Sequence, residues 1–347
     1  MSGGVDSSTA AALLLEQGYS VVGVMMRLWS EAGSECENRC CTPEAADLAR
    51  RVAAQLGIRF YLIDASETFY QRVVQPFVDS YAQGVTPNPC ISCNRFIRWG
   101  FLLDRAEALG AAHLATGHYA RLNHREDGRV ELLRGRDPSK DQSYVLSALT
   151  QSQLARTRFP LGGMHKSEVR EAARRLRLPA ADRQDSQDLC FLAGGDYRPF
   201  LERYAPETAR PGQMVDQNGQ VVGEHNGLAF YTIGQRKGLG LANPQPWYVL
   251  SKDIENNRLI VGPVEQLGSQ RAVASDLNWI LGEPPSLPLR AEVMIRYQAQ
   301  PAAAVLEEGG DGRVEVHFED SMRDITPGQL AVFYNGDVVI GSGTIAA

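Results

Sequence analysis

Apolar and polar residues alternate between two rhythms over the first third of the chain. Ser7-Ser-Thr-Ala-Ala-Ala-Leu-Leu-Leu-Glu-Gln17 strings together helix formers and stops at Gly18, which predicts a helix. Ser20-Val-Val-Gly-Val-Met-Met26 follows as a short apolar run and predicts a buried strand. Thr42 then stands as an N-cap with Pro43 at the first helical position. Ala45, Leu48, Ala49, Val52 and Leu56 fall on one face before Gly57, predicting a second, amphipathic helix. Arg59-Phe-Tyr-Leu-Ile-Asp64 and His113-Leu-Ala-Thr116 read as further strands. Strands alternating with helices imply an α/β domain with a parallel sheet, whose ligands bind at the C-terminal ends of the strands.

After about Tyr204 the rhythm changes to short strands and turns. Asn218-Gly219 is a hairpin signal between Gln213-Met-Val and Gln220-Val-Val, and Trp247-Tyr-Val-Leu250 and Arg258-Leu-Ile-Val261 read as strands. Glu283-Pro-Pro-Ser-Leu-Pro288 reads as a stiff connector. Beyond it, Ala291-Glu-Val-Met-Ile-Arg-Tyr297, Arg313-Val-Glu-Val-His-Phe318 and Ala331-Val-Phe-Tyr334, with Asn335-Gly336 turning the last hairpin, suggest a small β-barrel. The expected organisation is an α/β domain over 1–204, a β-rich domain over 205–278 and a β-barrel over 279–347.

Composition narrows the picture only a little. The chain has 347 residues with an ordinary apolar share of 44 %. No stretch approaches the ~20 apolar residues of a membrane span, and no secretory n-region and h-region are present, so no membrane role and a cytoplasmic setting are expected. Six cysteines in a chain of this length read as free thiols, metal ligands or catalysts rather than a disulfide scaffold. A formal charge of −6 means that any basic surface for a nucleic acid must be local.

Candidate chemistry begins at Ser2-Gly-Gly-Val-Asp-Ser7. Its glycines let the backbone approach a ligand, and the helix that follows offers unpaired N–H groups to phosphate. The loop lacks the Gly-Lys-Ser/Thr ending of a Walker A motif. It resembles the Ser-Gly-Gly-x-Asp-Ser loop of the ATP pyrophosphatases (PP-loop, adenine nucleotide α-hydrolase-like), which implies ATP, with Mg2+, as the ligand. Such a loop is expected to follow a central strand, so the natural start is expected upstream of Met1.

Cysteines supply the second signal. Pro87 and Pro89 make Cys90-Ile-Ser-Cys93 a loop, and Cys190 lies in Asp185-Ser-Gln-Asp-Leu-Cys-Phe191. The pair admits three readings: a structural zinc knuckle, a catalytic thiol pair, or iron–sulfur ligation by Cys90, Cys93 and Cys190 in a [4Fe-4S] cluster with one iron open. Cys36, Cys40 and Cys41 read as incidental cysteines in a loop, with metal binding or sulfur acceptance as the alternative.

These segments occur in order with Thr86-Pro-Asn-Pro, Cys93-Asn94, Ala115-Thr-Gly-His-Tyr-Ala-Arg121, Lys140-Asp-Gln-Ser-Tyr144 and Thr232-Ile-Gly-Gln-Arg-Lys-Gly-Leu-Gly240. Together they resemble the tRNA-specific 2-thiouridylase family along almost the whole chain. The resemblance implies that ATP adenylates the 2-oxygen of the wobble uridine (position 34) of tRNAs for Lys, Glu and Gln, and that a cysteine persulfide replaces that oxygen with sulfur. It implies a cysteine desulfurase or sulfur-relay protein as donor. Cys190 matches the persulfide carrier, and Cys93 the second catalytic cysteine, which can end in a disulfide with Cys190.

By the same resemblance Met1, Ser2, Gly3, Gly4, Val5, Asp6, Ser7, Ser8, Met26 and Gly117 face ATP. Asn88, Pro89 and Cys90 meet the target base, while His118, Lys140, Asp141, Gln142, Arg296, Tyr297 and Gln329 lie near the tRNA. Several have a plainer reading too: Met26 and His118 as buried core, Lys140 to Gln142 as a solvated turn, Arg296 and Tyr297 as cross-strand packing. Arginines crowd the stretch from Arg121 to Arg177 and suit phosphate contacts. One departure stands out, because Cys90 occupies a place where the best-known family pattern has Asp. That keeps the cluster reading open beside direct persulfide chemistry. A plain adenylating ligase, or a metal- or sulfur-carrying protein with a regulatory nucleotide loop, remains as an alternative that needs fewer of these motifs.

Overall fold

The computed structural model describes residues 1–31, 42–183, 189–192, 195–241 and 245–346. Cys36, Cys40, Cys41 and the Asp185 to Asp188 motif lie outside them. Helix α1 spans Val5–Glu16 and so begins earlier than the composition predicts. Gly4 takes an extended N-cap conformation, and the Ser8 and Thr9 hydroxyls donate to Gly4 O (2.9 Å) and Val5 O (2.8 Å). Hydroxyls satisfied inside the helix no longer compete with its backbone, so the serine-rich start is accommodated. α1 ends where Gly18, at φ +86°, lets Gly18 N donate to Leu15 O and Tyr19 N to Leu14 O, capping the orphan carbonyls.

Strand β1 (Val22–Arg27), helix α2 (Pro43–Gln55) and strand β2 (Arg59–Asp64) follow as expected. The Thr42 Oγ1 accepts from Ala45 N at 3.1 Å, and α2 buries Ala45, Ala46, Ala49, Val52 and Ala53. β1 and β2 pair in parallel from Val22↔Arg59 to Arg27↔Asp64. A second parallel pair joins β3 (Leu114–Ala115) to β6 (Thr157–Arg158), which β4 (Ala120–His124) and β5 (Val130–Arg134) precede in the chain. Among the described residues the parallel strands thus form two small sheets rather than the single one expected. The N-terminal loop touches both: Met1 N donates to Val24 O in β1, and a Cβ on Gly117, just past β3, would stand 2.9 Å from Ser7 N.

The β-rich part has two units. β7 (Gly212–Val215), β8 (Val221–His225), β9 (Trp247–Asp253) and β10 (Arg258–Pro263) form a four-stranded sheet in the order β8-β7-β10-β9. The Asn218-Gly219 turn joins β7 to β8, as its sequence predicts. β11 (Ser269–Trp279), β12 (Leu289–Met294), β13 (Ala302–Glu308), β14 (Val314–Met322), β15 (Leu330–Asn335) and β16 (Val338–Ile345) close into a barrel through β11–β16 pairing. The proline-rich segment 283–288 therefore lies between two strands of one barrel, not between domains. The first strand belongs to the barrel because β11 pairs with both β14 and β16.

The domains share cores. One cluster combines Phe69, Phe77, Ile97, Phe191 and Phe200 with Met214, Val249, Leu259 and Val261 of the four-stranded sheet. Another runs from Trp99, Leu132, Tyr144 and Leu146 into Val332, Tyr334 and Val339 of the barrel. The β4–β5 hairpin also extends the barrel sheet, with Val338↔Leu133 and Val339↔Leu132 in register. Burial that crosses domain boundaries fixes their relative placement, since apolar area withdrawn from water holds the pieces as one body. No helix among the described residues is long and apolar enough to cross a membrane.

Candidate functional site

At the N-terminal loop the chain builds a concave, hydrogen-bonded cradle. Gly3 sits at φ +69°, and a Cβ there would lie 2.6 Å from Ala45 O and 2.9 Å from an Arg183 guanidinium nitrogen, so only glycine fits. Arg183 donates to Gly3 O at 3.1 Å, and Ser2 N donates to Ser7 Oγ at 3.1 Å. Gly4 caps α1 without a side chain, which leaves the first-turn N–H groups of Val5, Asp6 and Ser7 facing the loop. Asp6 is gripped by Lys166 Nζ at 2.7 and 2.8 Å and by Tyr119 OH at 2.8 Å. A glycine backbone, helix N–H groups and nearby Lys166 and Arg183 suit a polyphosphate. Met26 is half-buried at the end of β1 and packs against both large cores.

The thiols belong to the same domain. Thr86 leads into Asn88, whose side chain caps a short helix, Pro89–Ser92, by accepting from Cys90 N at 3.2 Å. π-type turns over Cys93–Leu102 continue it. Cys93 is buried and Cys190 half-buried, and both pack into the same apolar cluster. Cys90 keeps accessible surface, yet protein around its thiol desolvates it. Desolvation first, then the neighbouring Cys93, pushes the Cys90 thiol up to about 11 against an opposite pull from Arg98. Cys90 is therefore a neutral thiol near neutral pH. Cys90, Cys93 and Cys190 are all in the thiol form.

No group of three Cys, His, Asp or Glu side chains among the described residues is arranged to hold a metal. The zinc and iron–sulfur readings of Cys90, Cys93 and Cys190 do not fit these side chains.

Barrel and four-stranded sheet converge on the segment before the thiols. Thr86 N donates to Pro327 O at 3.1 Å, Gln329 Nε2 donates to Thr86 O at 2.8 Å, and Lys252 Nζ donates to Gly84 O at 3.0 Å. Gln329, expected near the tRNA, is thus 9 % exposed and engaged with backbone. His118 is likewise buried: it shares a hydrogen bond with Thr116 Oγ1 at 2.8 Å and lies against Trp99 and Phe159. Burial lowers its imidazole well below the usual range, so it is neutral.

A cleft of about 620 Å³ opens between the α/β domain and the barrel, lined in part by Arg121, Arg134, Arg136, Asp141, Tyr144 and Tyr297, and Tyr297 lies within electrostatic reach of Cys90. Asp141 is occupied in holding Gly135 N and Ser143 N, and Gln142 exchanges hydrogen bonds with the Tyr119 backbone. Lys140 is half-buried on the same turn. Arg296 reaches Thr326 and Asp324 next to Tyr297. Several other arginines of the rich stretch are structural: Arg156 bonds Ala111 O, Arg170 bonds Ala181 O, and Arg175 pairs with Glu16.

Reading of the sequence missed Lys166, Arg183 and Arg98, and gave Tyr119 no role of its own within the Ala115 to Arg121 motif. Lys166 lies 160 positions from Asp6, and no local pattern signals such a pairing. Arg98 acts electrostatically on Met1, His118 and Cys90, which places it between loop and thiols.

A nucleotide loop on an α/β domain, a cysteine pair and two β modules define a nucleotide-using RNA-modification class, and the family models agree. A tRNA methyl transferase HUP domain matches residues 1–194, a tRNA methyl transferase PRC-barrel domain 198–263, and an aminomethyltransferase beta-barrel domain 269–345. Among curated relatives, the tRNA-specific 2-thiouridylase MnmA of Heliobacterium modesticaldum is 50 % identical, covering 99 % of this chain and 91 % of its own. That of Moorella thermoacetica is also 50 % identical, over 99 % and 98 %, and that of Chloroflexus aggregans 49 %, over 100 % and 97 %. The chain belongs to the tRNA-specific 2-thiouridylase (MnmA) family.

Proposed function

We propose that this protein is an ATP-dependent tRNA-uridine 2-sulfurtransferase acting on the wobble uridine. The observation that carries the reading is the full-length match to thiouridylases, in a chain that keeps both the phosphate cradle and the cysteine pair. ATP enters with Mg2+ on its phosphates. Loop glycines and the N–H groups at the start of α1 hold the phosphates, while Lys166 and Arg183 offset their charge. The 2-oxygen of the uridine attacks the α-phosphorus, pyrophosphate leaves, and the oxygen becomes part of an AMP leaving group.

Cys190 carries the persulfide. Cys93 attacks the Cys190 sulfur, forming a disulfide and releasing hydrosulfide, which adds at C2 and expels AMP. Asn88, Pro89 and Cys90 meet the base at the cleft edge. Lys140, Asp141, Gln142, Arg296 and Tyr297 border the tRNA path, with Arg121, Arg134 and Arg136 as phosphate contacts. His118 and Gln329 act from inside as supports of that surface. Substrates are tRNAs for Lys, Glu and Gln, the donor is a cysteine desulfurase or relay protein, and the setting is the cytoplasm.

Release of AMP and pyrophosphate tests the reading. Wild type should form both only when tRNA is present. Cys190→Ala should still adenylate but transfer no sulfur, and AMP formation indifferent to tRNA would contradict the assignment.

A further inference from the structure

Cys90 has no sulfur-transfer step in the chemistry above, yet its position relative to Cys93 is that of a partner thiol. The two residues stand three apart at a helix start, with Cys93 N donating to Cys90 O. Residues at that spacing share a helix face about 5–6 Å apart at Cβ, close enough for a disulfide after a small adjustment. Cys93 also shares an apolar cluster with Cys190. The thiols therefore differ in access: Cys93 is buried, Cys190 is half-buried, and Cys90 is exposed.

We propose that Cys90 is a resolving thiol: it moves the disulfide left between Cys93 and Cys190 after sulfur release to the Cys90–Cys93 pair, where a dithiol reductant can reach it. This rests on the sulfur-transfer reading above. The Cys90 thiolate attacks Cys93 Sγ. A Cys90–Cys93 bond forms as the Cys93–Cys190 bond breaks, and the electron pair leaves on Cys190 Sγ, which takes up the proton that Cys90 lost. The exchange involves no net oxidation. A dithiol then attacks Cys90 Sγ, supplies two electrons and two protons, and departs as its own disulfide.

Timing follows from the neighbours of Cys90. In the resting state burial and Cys93 keep its thiol protonated. Once Cys93 is locked in a disulfide it carries no charge, so the second of these effects vanishes while the opposing pull of Arg98 remains. Cys90 thus ionises more readily after sulfur release than before it. Exchange also frees Cys190 to accept the next sulfur, although a disulfide with buried Cys93 is poorly placed for direct reduction.

A single-turnover trap tests this. Full-length protein carrying one persulfide is mixed with tRNA and ATP–Mg without reductant, quenched with acid and N-ethylmaleimide, and mapped by peptide mass spectrometry beside the 2-thiouridine formed. The expected wild-type product is a Cys90–Cys93 disulfide with Cys190 alkylated, in about tenfold excess over the Cys93–Cys190 form. Cys90→Ser should stall with Cys93 joined to Cys190. Wild type that forms 2-thiouridine but retains the Cys93–Cys190 link with Cys90 alkylated overturns the proposal. That result needs no variant, so a folding defect in Cys90→Ser cannot obscure it. 2-Thiouridine formed with no disulfide overturns the resolving role and the proposed sulfur release together, whereas no 2-thiouridine at all defeats the parent reading.

Discussion

Asp6 shows how one side chain can organise the nucleotide end. Its carboxylate holds Lys166 and Tyr119, and it sits in the first turn of α1 where phosphates would approach. Asp6→Asn keeps the shape and removes the charge, so Lys166 loses its ionic partner. Charge-assisted hydrogen bonds are roughly twice as strong as neutral ones, and kcat/KM for ATP should fall by about tenfold or more in a pyrophosphate-release assay. An unchanged value would mean that the Asp6–Lys166 pair does not position the nucleotide. The glycines and serines of this loop were legible in the sequence because they are contiguous. Lys166, Arg183 and Arg98 were not, because each reaches the site only through the fold. His118 illustrates the converse: its motif suggests a surface role, while burial beside Trp99 and Phe159 decides otherwise.

Elements were most legible where local chemistry alone fixes a boundary. Thr42 and Pro43 start α2, Gly18 and Gly57 end helices at positive φ, and Asn218-Gly219 turns a hairpin. Thr42→Ala removes the acceptor for Ala45 N and should cost about 1 kcal/mol, read as a lower midpoint in chemical denaturation. No loss of stability would show that the cap is redundant with Pro43. Sheet partners were less legible, since a strand's own residues do not name its neighbour. The split of the parallel strands into two pairs, the β4–β5 hairpin on the barrel, and β11 as a barrel strand all depend on contacts far apart in the chain.

At the scale of the whole molecule, the β modules meet the segment leading to Cys90 and Cys93. Gly328, at φ +88°, passes so close that a Cβ would stand 2.2 Å from Val85 Cγ1 and 3.1 Å from Thr86 O. Gly328→Ala should cost about 1–3 kcal/mol through backbone strain and displacement of this segment, lowering both thermal stability and thiolation. A variant with wild-type melting and turnover would contradict the clamp. Lys252 holds the same segment from the four-stranded sheet, and burial lowers its ammonium to about 8. An unfolded lysine titrates near ~10.4, so between those pH values the unfolded chain holds the extra proton and folding stability rises with pH. Below pH 8 the cost of burying the charge is present in full. Lys252→Met should flatten that alkaline rise in denaturation measured across pH 7 to 10.5, and an unaltered slope would show that Lys252 is not its source.

The central claim is that the phosphate loop and the thiols of Cys93 and Cys190 serve one reaction on tRNA. Nucleoside mass spectrometry tests it most directly, on tRNA incubated with the full chain, ATP–Mg and a persulfide source, comparing wild type with Cys190→Ala. The account predicts 2-thiouridine with wild type, strictly dependent on ATP, and none with Cys190→Ala. A folded, ATP-binding wild type that leaves the uridine unmodified, or a Cys190→Ala variant that still thiolates it, would contradict the account.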